Sequence, residues 1–272
     1  MTILIVLAGL LISHFATGVR HLRNFSWLLW PMEQVRQRWS GPEWLPMVVV
    51  IATAWLVTWL ATGLMTSLLG VVGWALLALM VFVYTLGPRD LDQDLAVLLA
   101  RDDGADPAQV SETMAAMQLK PDDPPAAIAA SVYHAALSRW FGLLFWFVLL
   151  GIPGAILYRL TRAALQQRLD VEEMDWMARL RLVLDLPVIG LMVAATAMCG
   201  DLDRVHRVWR DAAGSDPLWG LTPATLDKIA AELLPEGADF REALISGQQM
   251  VWRMLILWLV VLSLILLAGW LV

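Results

Sequence analysis

One stretch dominates the pattern of apolar and polar positions. Leu45 to Leu64 and Leu68 to Leu86 contain no Lys, Arg, Asp or Glu. Each can cross a hydrocarbon core of about 30 Å, which takes roughly 20 helical residues. Only Met65-Thr66-Ser67 separates them. The pattern predicts a helical hairpin built into a bilayer, with its tip at those three residues.

The flanking pattern is helical throughout. Thr2 to Val19 is a span of marginal length with His14 in its second half. Arg20 to Glu43 is a basic link rich in tryptophan (Trp27, Trp30, Trp39, with Trp44 just beyond), suited to the water–lipid boundary. Gly87-Pro88 ends the hairpin. Asp90 is placed to cap a helix whose apolar face is Leu91, Leu95, Leu98 and Leu99. A loop over Asp102–Pro107 leads to a second helix, which stops before the Lys120–Pro125 break. Ala126 to Leu137 is an Ala-rich helix. Trp140 to Leu160 is apolar but interrupted by Gly151-Ile152-Pro153-Gly154. Two glycines and a missing backbone donor predict either a kink inside the bundle or a fold-back without crossing. Thr161 to Arg181 is polar. Leu182 to Met198 is apolar, with Asp185 and Pro187 in its first half. Asp201 to Gln249 reads as soluble helix with turns near Gly214–Pro217 and Leu234–Gly237. Met254 to Val272 is an uninterrupted last span.

No strand alternation and no fixed-period repeat is apparent. The expected fold class is therefore all-α: a polytopic integral membrane protein with four to six transmembrane or re-entrant helices and cytoplasmic helical segments. It reads as one membrane-embedded domain over 1–272. Its parts are the N-terminal segment and hairpin (1–87), a cytoplasmic helical segment (88–139), a motif region (140–200), a soluble helical segment (201–249) and a C-terminal helix (250–272).

Composition sharpens this picture. The 272 residues are 59% apolar and 16% charged, with a net charge of −6 and a mean hydropathy of +0.66. Soluble domains carry about 25% charged residues. The bilayer is thus the first expected partner, and no basic stripe calls for nucleic acid. The apolar N-terminus lacks a basic leader region and is expected to be retained. The single Cys199 cannot form an internal disulfide and reads as a small packing residue.

Basic loops stay cytoplasmic. Arg36 and Arg38 precede the hairpin and Arg89 and Arg101 follow it, so its tip is expected outside. The link bearing Arg159, Arg162, Arg168, Arg179 and Arg181 conflicts with a simple crossing of Trp140–Leu160. A re-entrant segment resolves the conflict.

Few residues suggest chemistry. No phosphate-binding glycine loop or paired-histidine metal motif is present. His134, at the start of a membrane segment, suits either a proton-linked switch or an interface helix. Asp90, Asp92 and Asp94 read as acids favoured by a helix N-terminus. Asp185, inside an apolar run with Arg181 four residues before it, is a functional candidate by its cost in lipid, or else an interface residue.

The block Leu143-Leu144-Phe145-Trp146 … Gly151-Ile152-Pro153-Gly154-Ala155-Ile156-Leu157-Tyr158-Arg159 resembles a pattern shared by two families. These are AmpE, the inner-membrane protein of the β-lactamase induction locus, and the CobD/CbiB synthases of cobalamin biosynthesis. The order of a preceding Ala-rich helix, Ala178-Arg179-Leu180 and Asp185-Leu186-Pro187 afterwards, and a C-terminal apolar helix also fits. The motif-level likeness covers about residues 126–200. The synthase family uses ATP to join an amino-alcohol phosphate to a corrin carboxylate, and its pattern carries acids and amides on either side of the block. Here those positions are His134, Ala135 and Ser138, then Arg162, Ala163, Ala164 and Leu165. Ala, Leu and Ser cannot hold Mg²⁺ beside phosphates.

The resemblance therefore implies an AmpE-like regulator in the bacterial inner membrane. It would be non-catalytic, with no cofactor or metal, tied to β-lactamase induction and muropeptide recycling through a cytoplasmic or membrane protein partner. His134, Gly151, Pro153, Gly154, Tyr158, Arg159, Arg162, Arg181 and Asp185 are its candidate functional positions. Two other readings stand beside it: a synthase with a rearranged site, and a small-molecule carrier with a broken helix at its substrate site.

Overall fold

A computed structural model describes residues 2–15, 45–86, 89–166, 171–213 and 221–269. The tryptophan-rich 20–43 link, Gly87-Pro88, Arg168 and the 214–217 turn lie outside them. In chain order the helices are α1 (Thr2–Phe15), α2 (Leu45–Thr85), α3 (Leu91–Leu99), α4 (Pro107–Ala116) and α5 (Pro125–Ala136). A π-helical turn (Leu137–Phe141) leads into α6 (Gly142–Leu150). There follow α7 (Ile152–Gln166), α8 (Val171–Cys199), α9 (Leu202–Ala213), α10 (Pro223–Glu232) and α11 (Phe240–Leu267). No strand occurs among the described residues. The fold is all-α and that of a multi-pass membrane protein: four helices are long and apolar enough to cross a membrane. Bare Trp55, Leu56, Trp59, Leu60, Leu64 and Leu68 on α2 would form an untenable patch in water.

The chain divides into two compact units, residues 1–88 with 142–184, and 89–141 with 185–272. In the first unit, α2 is a hairpin. Unbroken, its 34-residue step from Val50 to Tyr84 would cover about 51 Å at 1.5 Å per residue. Yet Val50 and Tyr84 pack into one cluster with Leu160, Ala164 and Met177. The reversal sits at Gly70, which has φ +61° and ψ −143°, a conformation costly for any residue with a Cβ. This corrects the expected tip at Met65–Ser67. Those residues are helical, and the Thr66 hydroxyl donates to the Thr62 carbonyl (2.7 Å) and that of Ser67 to the Leu64 carbonyl (2.8 Å). Their polar groups are satisfied inside the helix and demand no loop.

The Gly151–Gly154 break is a second reversal of the same build. Gly151 takes φ +69°, and its N–H donates to the Phe147 carbonyl at 2.8 Å. Pro153 falls in the first turn of α7, where a missing N–H costs nothing. A Cβ on Gly154 would collide with the Trp146 carbonyl and lie 2.7 Å from the Leu150 Cβ; one on Gly73 would collide with the Met65 carbonyl and lie 2.9 Å from the Leu69 Cβ. The two turns share a Leu-Leu-Gly-x-x-Gly pattern. Leu-Leu-Gly-Val-Val-Gly with Leu76 and Leu79 recurs as Leu-Leu-Gly-Ile-Pro-Gly with Leu157 and Leu160, and Trp59 recurs as Trp140, each 81 positions on. The likeness is confined to the turns and these few positions. α6 and α7 close tightly, since Gly142 lies against the buried Tyr158 ring with no room for a Cβ. Phe82 of α2 stacks on Phe147 of α6 at 4.7 Å.

In the second unit, α5 is held by α10 and α11 and touches α3. Gly247 of α11 meets Val132 of α5 at 3.1 Å from an added Cβ, and Phe141 stacks edge-on against Trp258 at 4.9 Å. The helix α11 runs unbroken from the expected soluble segment into the expected last span, so no structural boundary falls at 249/250.

Candidate functional site

The densest polar grouping in the second unit forms where α3, α4, α11 and the π turn meet. Its origin is local. Asp90 caps α3, accepting from the Asp92 N–H at 3.1 Å, as the sequence predicted. Helical rotation then turns Asp92 and Asp94 to different neighbours. Asp94 is 8% exposed and accepts from Arg139 Nη1 at 2.8 Å, with Arg89 Nη1 at 3.6 Å. Arg89 also pairs with Glu112 of α4. Asp92 accepts from Gln248 Nε2 (3.1 Å) and Trp252 Nε1 (3.0 Å) on α11, and Trp252 stands edge-on to Trp140 at 5.5 Å. Arg139 lies on the π turn, where widening the helix by one residue re-aims side chains and often marks function. The result is a clamp of two acids, two arginines, an amide and an indole N–H.

All six, Arg89, Asp92, Asp94, Arg139, Gln248 and Trp252, escaped sequence reasoning as site residues. The only signal was the alternation of Asp90, Asp92 and Asp94. A helix presents such a triplet to separate partners, which the helix-dipole reading of all three acids does not specify.

The sequence candidates are distributed differently. His134 Nε2 meets the Asp227 carboxylate on α10, with both side chains partly exposed. It is an interhelical tie from the last turn of α5 to α10. Gly151, Pro153 and Gly154 build the hairpin turn. Tyr158 is buried on α7, and its hydroxyl accepts from Arg162 Nη2 at 2.9 Å and Nε at 3.2 Å. The Arg162 guanidinium also lies 5.3 Å from the Tyr158 ring centroid. Arg159 is half-buried one residue on, and Arg181 is half-buried on α8. Asp185 is fully buried on α8, in mid-helix and not at a helix start. Gly151, Pro153, Gly154, Tyr158, Arg159 and Arg162 thus share one hairpin, whereas His134 belongs to the other unit.

At the positions where the synthase pattern carries acids and amides, each polar side chain has a partner in this chain. His134 is tied to Asp227, Ser138 donates to the Ala135 carbonyl at 3.0 Å, and Arg162 is held on Tyr158. Among the described residues, no group of three or more His, Cys, Asp or Glu is arranged to hold a metal ion. No protein-family model matches the chain, and no curated protein or solved structure matches it either.

Proposed function

We propose that this multi-pass membrane protein is a non-catalytic regulator of the AmpE type. It would sit in a bacterial inner membrane and act in β-lactamase induction and muropeptide recycling. The observation that supports the reading is the engagement of the polar residues. Asp94 and Arg139 are committed to each other, as are His134 and Asp227, and Tyr158 and Arg162. Such pairs fix helix positions and do not converge on a reacting atom. A regulator needs this property: a discrete packing that a partner or ligand can bias. The clamp joins helices on the polar side to α5, which runs through the π turn into the apolar hairpin, so it is the element we expect a signal to move.

The test is deletion of the gene, followed by measurement of β-lactamase activity with and without a β-lactam inducer. An altered basal or induced level is expected. Induction identical to the parent removes this reading, and ATP turnover by the purified protein with an amino-alcohol phosphate transfers it to the synthase class.

A further inference from the structure

We infer that the hairpin of α6 and α7 enters one leaflet only, with its tip among acyl-chain ends near the bilayer mid-plane and both arms returning to the same side. The partner surface is the hydrocarbon of that single leaflet. The inference rests on chain geometry and not on the regulatory reading.

The length of chain after Arg139 bounds the depth. Arg139 is bonded to Asp94, which Arg89 also approaches, and Arg89 pairs with a Glu112 side chain that is 72% exposed. One turn earlier, His134 meets an Asp227 side chain that is 49% exposed. Arg139 therefore stands at the water boundary. From it only 12 residues lead to Gly151, about 18 Å of helix. On the return, Arg159 follows after 8 residues and Arg162 after 11, or about 12 and 16 Å. One leaflet of a 30 Å core is about 15 Å deep. A full crossing would instead bring Arg139, Arg159 and Arg162 to the centre of the hydrocarbon, the costliest depth for a guanidinium.

The first hairpin provides the internal control. It too turns at a glycine with positive φ, yet no charge occurs between Leu45 and Gly70, nor from Gly70 to Pro88. Those arms of 25 and 18 residues reach about 37 and 27 Å as helix, enough to traverse.

The matched positions Leu68 and Leu149, two residues before each turn glycine, make the experiment direct. In a Cys199→Ser background, Leu68→Cys and Leu149→Cys are each labelled with a nitroxide in phosphatidylglycerol/phosphatidylethanolamine vesicles. Accessibility to oxygen and to a water-soluble nickel chelate reports depth. Both sites are exposed, so the substitutions should be tolerated, and Leu150→Cys serves as the second reporter. The label at 149 is expected about 15 Å below the headgroups, with strong oxygen and negligible nickel relaxation, while that at 68 reads near a surface. A label at 149 and 150 that reads either aqueous surface overturns the inference, as does reaction of Leu149→Cys with an impermeant maleimide.

Discussion

Replacing Arg139 by leucine should unfold the clamp more than any exposed charge change could. Asp94 is 8% exposed, and its closest partner, Arg139 at 2.8 Å, has a side chain only 11% exposed. Removing one member of such a pair leaves a charge out of water without its counterion, at a cost of about 3–5 kcal/mol. For Arg139→Leu the figure should fall near the low end, about 3 kcal/mol, because Arg89 at 3.6 Å remains beside Asp94. For Asp94→Leu it should be higher, because among the described residues Arg139 has no other acid. The double variant Asp94→Leu/Arg139→Leu should recover most of the loss, since an apolar pair of similar volume is often as stable as a buried ion pair. The assay is a double-mutant cycle on SDS-induced unfolding in mixed micelles, followed by tryptophan fluorescence. Each single variant should shift the unfolding constant by roughly a hundredfold or more, with a coupling of at least about 1 kcal/mol. Single effects below that size which simply add in the double variant would show that the clamp is a surface pairing without structural weight.

The two turn glycines offer a second test. Gly73→Ala and Gly154→Ala drive a methyl into a backbone carbonyl of the preceding arm, whereas Gly63→Ala meets nothing within 4 Å. We expect losses of about 1–3 kcal/mol or more for the first two and no loss for the third, read in the same unfolding assay. Trp252→Phe keeps the ring but removes the N–H held by Asp92 at 3.0 Å, which should cost about 1 kcal/mol; a neutral result places that bond outside the clamp. The His134–Asp227 pair is partly exposed, so His134→Ala should change stability by less than about 1 kcal/mol. If His134→Ala nevertheless abolishes function in the induction assay, the tie acts in signalling.

The sequence by itself determined the bilayer class, the all-helical fold and most breaks between helices. These follow from local physics. Uncharged runs longer than a hydrocarbon core, a capping Asp90 and proline at 121, 124, 125 and 153 act through a residue's own surroundings. Tertiary structure decided what those rules leave open. It moved the first tip from Ser67 to Gly70, because hydroxyls satisfied within the helix do not turn a chain and a glycine at positive φ does. It also paired residues distant in sequence: Asp94 with Arg139, 45 positions away, His134 with Asp227, 93 away, and Asp92 with Trp252, 160 away. No periodicity encodes such partners. They meet only because helices with apolar faces pack first and then place whatever polar groups lie at the packed ends within reach of one another.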